Sequence, residues 1–247
     1  MKASAFEFRF RYLIHGVLYA LGFWAPWNMA LHLDPRGPNA HVWGILAANL
    51  AQLGFGTLFT AFNLLLSLAI FFALAGAALR TWGSAYIGAG IVNSDSMHTA
   101  QAAGDGILKD GPFGHLRNPL YLGTFLHTLA LALLMPRSGA IFTILTIGLL
   151  QIRLILAEEA FLGPKLGAPY AAYCKLVPRL LPSIRRKVAA TGLTPRWPQA
   201  FLGEIYFWGV AACFAFLGWR YNALLLIQCV IVSAGLSLVS RALIKPA

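Results

Sequence analysis

The feature that most constrains this chain is a run of residues, 61–79, that contains no charged side chain and ends at Arg80. About twenty such residues in helical form cross the hydrocarbon core of a bilayer. Hydrophobic residues make up 59% of the sequence and charged residues only 11%, which leaves too little polar surface to cover a water-soluble globule. The sequence therefore predicts an integral membrane protein.

Further apolar runs extend this prediction to an all-α, polytopic transmembrane fold with about six spans, within a range of five to seven. The predicted spans are residues 12–31, 60–79, 119–135, 139–157, 200–219 and 223–243. Residues 42–59 are interrupted by Asn49, Gln52, Gly54 and Gly56, so they favour an interfacial or re-entrant helix, with a second full span as the alternative. Residues 136–138 form so short a turn that the helices on either side must be antiparallel neighbours.

The basic residues are unevenly distributed in this layout. The loops on one side contain Arg36, Arg137 and Arg220, Arg153 lies within a span, and the other fifteen of the nineteen Lys and Arg residues lie on the opposite side. Because cytoplasmic loops retain the excess of Lys and Arg, the pattern predicts a multi-pass protein with both ends in the cytoplasm, typical of a bacterial inner membrane. The net charge of +11 is then expected to face anionic membrane lipids and not nucleic acid.

Two polar clusters adjoin apolar spans on the predicted cytoplasmic side. The first is the segment DGPFGHLRNPLYLG at residues 110–123, and the second is the pair Glu158 and Glu159 at the end of the next helical hairpin. Proline in the first turn leaves free backbone N–H groups at a helix start, and Arg117 stands beside this one. Such a start binds carboxylate or phosphate, whereas the glutamates can accept hydrogen bonds from ribose hydroxyls or an ammonium group. A ligand with a negative end, a positive centre and a sugar would suit both clusters.

A purely structural interpretation of the polar residues stays open beside this one. Arg and Glu at span ends often anchor a helix at the membrane interface, and Glu204 fits that role. His127, in the middle of a predicted span, reads as a satisfied packing histidine, and no group of residues has the spacing typical of a metal site. The long polar connection at residues 80–109 is typical of a functional lid or a disordered tie.

The two clusters together resemble a known family. GPFGHLRNPLYLG, followed after a hairpin by EEAFLGPKLGAPYAAYCKLVPRLLP, is similar to the signature of the integral membrane methyltransferases that include the isoprenylcysteine carboxyl methyltransferases and the phospholipid N-methyltransferases. The likeness covers residues 111–182, and LRTWGSAYIG at residues 79–88 adds to it. It implies S-adenosylmethionine as methyl donor, bound at the cytoplasmic ends of these helices, and a hydrophobic or lipidated acceptor that reaches it from the bilayer.

The resemblance also implies roles for individual residues. The cofactor-binding set that it implies is Gly111, His115, Leu116, Arg117, Asn118, Pro119, Tyr121, Glu158, Glu159, Tyr170, Tyr173, Val177, Pro178 and Arg179. Within this set, residues 115–121 would hold the amino-acid end of the cofactor, one of the glutamates its ribose or ammonium group, and residues 170–179 its adenine side. Arg153 and Glu159 are expected near the transferring methyl group, as the catalytic residues.

The acceptor and the reaction type stay open at this point. Asn118 stands where the isoprenylcysteine enzymes usually carry histidine, and asparagine cannot become cationic. A carboxylate acceptor would need an arginine to orient it, whereas an amine acceptor would need a carboxylate to take its proton, and the sequence offers both.

Two other functions are alternatives to the methyltransferase interpretation, and the sequence also predicts how the chain is divided. Membrane sterol reductases share a related C-terminal signature and would use NADPH, although the hairpin lacks an added basic cluster for a 2'-phosphate. A non-enzymatic scaffold or transporter would leave the polar clusters unexplained. The expected organisation is N-terminal transmembrane helices at 1–80, a methyltransferase core at 81–186 and a C-terminal transmembrane hairpin at 187–247.

Overall fold

The computed structural model describes residues 2–28, 40–88, 102–103 and 106–241, and most of them are α-helical, which confirms the predicted all-α class. The helices are α1 (Ala5–Arg9), α2 (Arg11–Trp24), α3 (Val42–Gln52), α4 (Leu58–Ile87), α5 (Pro119–Ala132), α6 (Arg137–Leu176), α7 (Trp197–Gly203), α8 (Ile205–Leu217) and α9 (Ala223–Arg241). Two-residue strands β1 (Ala102–Ala103) and β2 (Gly106–Ile107) pair antiparallel. Single 3-10 turns lie at Gly111–Gly114 and Gly218–Arg220.

Three of these helices, α4, α6 and α9, are long and apolar enough to cross a membrane. A fourth span results if α7 and α8, which bend by 70° between them, count as one. Helices α3 and α5 are apolar but have only 11 and 14 residues, or about 17 and 21 Å at 1.5 Å per residue, against a hydrocarbon core of about 30 Å. Long apolar helices are thus compatible with an integral membrane protein, but the six predicted spans are not confirmed.

The prediction that α4 ends at Arg80 is wrong, because the helix continues to Ile87. Its added turns carry polar side chains that find partners inside the bundle. The Trp208 indole N–H donates to the Thr81 hydroxyl at 2.8 Å, and the Ser84 hydroxyl donates to a buried carboxylate. Because these side chains form hydrogen bonds within the protein, the helix can continue past the charged residue Arg80. Residues 89–101 and 104–105 of the predicted lid lie outside the described residues.

Helix α6 also runs past its predicted end, through both glutamates and the two prolines to Leu176. The sequence places the interruption at Pro164 and Pro169. The non-helical residue lies between them at Gly167, whose φ of 60° and ψ of −142° bend the chain. The nine residues after this bend carry the two tyrosines of the family-like motif on a short helical stretch of their own.

The longer helices form a row around one interior space. Neighbours pack in the order α2, α6, α5, α4, α8 and α9, and α3 also packs against α4. The core lies where α4, α5 and α8 meet and includes Leu66, Leu131 and Phe214, each at most 2% exposed. Among the described residues, the two ends of the row, α2 and α9, do not pack closely on each other. The row is therefore open along one side.

Candidate functional site

The three family-like motifs, which are far apart in the sequence, meet at one carboxylate. Arg117 lies just before α5, and its guanidinium is 2.8 Å from one oxygen of Glu159. The Arg179 guanidinium is 2.7 Å from the other oxygen. The side chains of Arg117 and Glu159 are only 10% and 13% exposed, so these charge-assisted contacts fix the geometry of the cluster. The structure thus brings the RNP segment, the EE pair and the VPR segment together.

Backbone contacts hold the segment after α6 against the start of α5. The Arg117 N–H donates to the Pro178 carbonyl at 2.9 Å, and the Asn118 side-chain amide donates to the Arg179 carbonyl at 3.1 Å. His115 exchanges two hydrogen bonds with the Ser183 backbone, at 2.9 and 3.0 Å. The predicted binding residues His115 and Asn118 therefore use polar atoms to position this segment.

Asp110 binds the same segment at Thr191 and Gly192. Its carboxylate, 3% exposed, accepts hydrogen bonds from the Thr191 N–H and hydroxyl and from the Gly192 N–H. Burial alone would raise the pKa of the Asp110 carboxyl, but these hydrogen bonds outweigh it and hold the pKa below its usual value. At the end of the segment, the Arg196 N–H donates to the Ala85 carbonyl at 2.8 Å. Residues 177–196, called the strap below, thereby lie across one end of the helix row.

A cavity of about 690 Å³ begins beside this cluster and extends into the row of helices. Its polar end is lined by Arg117, Asn118, Tyr121 and Glu158, all of which belong to the predicted set. Arg11, at the start of α2, joins them there and is only 8% exposed. The polar end therefore carries Arg11 from α2, Arg117 from the turn before α5 and Glu158 from α6.

The rest of the cavity wall is mainly apolar and reaches the outer surface of α9. Ile231 and Leu238 line the cavity and are also 67% and 68% exposed. Both lie in a helix apolar enough to cross a membrane. The cavity thus opens on an apolar face, between the unpaired ends of the row, α2 and α9.

Two parts of the predicted site lie away from this cavity. Arg153 binds Glu7 of α1 through two hydrogen bonds of 2.8 and 3.0 Å, and this contact lowers the pKa of Glu7 to about 2. Arg153 and Glu159 are six residues apart on one helix, or about 240° around its axis, so they face different directions. Tyr170, Tyr173 and Val177 form a separate buried apolar cluster with Leu162.

The remaining predicted residues stand in the turn before α5 or in the strap. Gly111 has a φ of 56°, and a Cβ there would come within 2.3 Å of the Tyr86 ring. Leu116 is 1% exposed, and Pro119 is the first residue of α5 and lines the cavity. These residues shape the backbone around the cluster.

One buried ion pair on the cavity wall contradicts the interfacial role expected for Glu204. That side chain is 2% exposed, and the Arg80 guanidinium donates to its two oxygens at 2.7 and 3.1 Å. A signal did exist in the sequence, since Glu204 is the only acidic residue after Glu159 and lies within the predicted span 200–219. Charged residues among membrane-spanning helices are costly and are usually retained for function.

His127 is a packing residue as predicted, but its polar atoms are not satisfied. Its ring packs edge-on against Tyr206 and Phe207, with centroids 5.1 and 4.6 Å apart, and it is fully buried at the cavity wall. Neither ring nitrogen has a hydrogen-bond partner among the described residues.

The chain matches no protein-family model, no curated protein and no solved structure.

Proposed function

We propose that this protein is an S-adenosylmethionine-dependent methyltransferase of the isoprenylcysteine carboxyl methyltransferase and phospholipid methyltransferase type, acting on a hydrophobic or lipid-like acceptor. One observation carries the proposal. A single cavity joins a polar end, lined by Arg117, Asn118, Tyr121 and Glu158 beside the Glu159 cluster, to an opening on the apolar face between α2 and α9. A polar cofactor and a lipid-like acceptor could therefore meet within it. We place the polar end at the cytoplasmic face of the membrane.

The polar side chains at this end of the cavity suit such a cofactor. Glu158 is half-buried and lines the cavity, whereas Glu159 is held between two arginines. Glu158 can accept hydrogen bonds from ribose hydroxyls or an ammonium group, and Arg117 can bind a carboxylate. When bound, S-adenosylmethionine would supply an electrophilic methyl group on a sulfonium.

The chain's own residues would align the acceptor and exclude water from the reaction. Transfer of a methyl group in line between two atoms depends on orientation and a dry site more than on a strong base. Arg11 is placed to orient a carboxylate acceptor, because it lines the cavity where Arg153 does not. If the acceptor is an amine, Glu158 is placed to take its proton.

Calorimetric titration of the detergent-purified protein with S-adenosylhomocysteine and with NADPH tests this proposal. We expect the wild type to bind S-adenosylhomocysteine and Arg117→Ala to bind it about tenfold more weakly or not at all, since a hydrogen bond to a charged group contributes roughly 1.5–3 kcal/mol. Arg137→Ala is the matched control, because Arg137 is exposed at the start of α6 on the far side of the hairpin. Binding of NADPH alone would move the protein to the reductases, and binding of neither would favour a scaffold or transporter.

A further inference from the structure

Polar side chains continue along the cavity wall from its polar end into the bundle. They are Arg11, His15 and Tyr19 on α2, Thr124 and His127 on α5, and Gln151 on α6. On α2 and α5 they recur every three or four residues, so they share the face that each helix turns to the cavity. From Asn118 to His127 the track descends nine residues, or about 13 Å along α5. An acceptor with only a plain alkyl chain would give such a track no partners.

Most of this track is satisfied within the protein. The Tyr19 hydroxyl is hydrogen-bonded to the Thr128 hydroxyl at 2.6 Å, and the Thr124 hydroxyl donates to the Leu120 carbonyl at 3.0 Å. His15 donates through Nδ1 to the Arg11 carbonyl at 2.6 Å. These residues need no ligand to account for their burial.

His127 and Gln151 differ from the others. His127 is 0% exposed with no partner for either ring nitrogen, and Gln151 is 4% exposed with no partner for its side-chain nitrogen, within the part of the chain that is described. Buried polar groups of native proteins are nearly always hydrogen-bonded, so two such groups on one cavity wall point to a ligand. A leucine at either place would fill similar space without an unpaired polar atom.

The chemistry of the two side chains defines the group that would bind them. A neutral imidazole has one donor and one acceptor, and the glutamine nitrogen adds a donor. A hydroxyl group can accept and donate at once, so it matches both. A charged group is a poor match at this depth among apolar helices, because it would have to leave water without a counter-charge from either residue.

We propose that His127 and Gln151 form a second subsite of the cavity, which binds a neutral hydroxyl group of the acceptor lipid. Gln151 lies seven residues, or about 10 Å, along α6 from Glu158. The acceptor class is thus a hydroxylated lipid whose hydroxyl lies about that far from the end at which the methyl group is received. The identification of this lipid as the methyl acceptor rests on the proposed function, but binding of a hydroxyl group can be tested without it.

Nuclear magnetic resonance of the full chain in nanodiscs, with ¹⁵N-labelled histidine, tests the subsite. The sequence has six histidines, and the His127 ring signals are those that disappear in His127→Leu. The probes are 1-dodecanol and dodecane, which differ only in the hydroxyl. We expect the alcohol to shift the His127 nitrogen signals saturably and the alkane to leave them in place. His115, whose Nδ1 is hydrogen-bonded to the Ser183 carbonyl and which does not line this cavity, is the internal control and should not respond.

Two variants separate hydroxyl binding from a packing role. Gln151→Leu should weaken the apparent affinity for 1-dodecanol about two- to tenfold, the equivalent of one neutral hydrogen bond. His127→Leu should unfold at the same or a higher temperature without probe and should still bind S-adenosylhomocysteine. Equal shifts from dodecane, no shift from the alcohol, or a lower unfolding temperature of His127→Leu would overturn the subsite. A wild type that responds to 1-dodecanol but does not bind S-adenosylhomocysteine would sustain the subsite and refute the proposed methyltransferase function.

Discussion

Arg80 carries a charge that the bundle surrounds almost completely. Besides the two contacts with Glu204, its guanidinium donates to the Thr124 hydroxyl at 2.7 Å and lies 4.2 Å from the centre of the Phe207 ring. We expect Glu204→Ala to lower the free energy of unfolding by about 3–5 kcal/mol, because it leaves this guanidinium buried without its counter-charge. Equilibrium unfolding in mixed micelles measures the loss.

A double variant distinguishes the unpaired charge from lost packing. Arg80→Met combined with Glu204→Leu removes both charges and keeps most of the volume, so its unfolding free energy should lie closer to that of the wild type than the value for Glu204→Ala does. A double variant that is less stable than the single one would show that the ion pair itself stabilises the bundle.

The surface pair of Glu7 and Arg153 responds to pH in a predictable window. The pKa of Glu7 falls from an ordinary value of 4.5 to about 2, mainly through the hydrogen bond from Arg153. A lowered pKa stabilises the folded state fully above the ordinary value, and this contribution is lost as the pH falls from 4.5 towards 2. The difference in unfolding temperature between the wild type and Glu7→Gln should therefore be constant at neutral pH and shrink only below about 4.5. A difference that already changes between about pH 5 and 8 would contradict the assignment.

At the residue scale, the sequence identified the members of the central cluster because they lie in short motifs. The sequence predicts Arg117, Glu159 and Arg179 as site residues, and the structure brings the three together. The sequence does not predict the ion-pair partners of Arg153 and Arg80. Each pair joins residues more than 120 positions apart, and only the packing of the helices brings them together.

The contact between α4 and α5 depends on two glycines. A Cβ on Gly76 would lie 2.6 Å from the Gly123 carbonyl oxygen, and one on Gly123 would lie 2.8 Å from the Gly76 carbonyl oxygen. Gly76→Ala should therefore force the helices apart and destabilise the protein by about 1–3 kcal/mol, as overpacking does. The change is read as a lower unfolding temperature in detergent.

Gly235→Ala on α9 is the matched control for that substitution. A Cβ there meets nothing within 4 Å, so the change should be neutral or slightly stabilising, by up to about 1 kcal/mol, through helix propensity. Equal effects of the two substitutions would mean that the close approach of α4 and α5 does not limit stability.

At the element scale, turns were predictable and helix ends were not. The sequence placed the tight turn between α5 and α6, the separate short helix α3, and the turn at residues 220–222, where Tyr221 has a φ of 50°. It ended α4 at Arg80 and the α6 span at Ala157 because charge normally marks the membrane surface. In the fold, α4 continues because Arg80 pairs with Glu204 inside the bundle, and α6 continues because Glu159 contacts Arg179 of the strap.

For the whole molecule, hydropathy predicts six spans, whereas three helices are long and apolar enough to cross a membrane, or four if the bent pair of α7 and α8 counts as one. Residues 119–135 read as a full span, but α5 ends at Ala132 and the following amides bond three residues back. Residues 200–219 read as another, but the chain bends by 70° between α7 and α8. The first predicted span stops at Trp24, and its residues 29–31 lie outside those described. Composition therefore predicted the membrane class, whereas the cavity emerges only from the order in which the helices pack.

The ion pair between Arg80 and Glu204 also dictates an order of assembly. The two residues are 124 positions apart, so a chain emerging from a ribosome carries Arg80 long before Glu204 has been synthesised. During that interval α4 and α5 can already pair through their glycines, but Arg80 lacks the Glu204 carboxylate, which lies between α7 and α8. Neutralising that charge and completing the wall formed by α8 and α9 are then one event, so the Arg80 charge stays without Glu204 until the C-terminal hairpin docks.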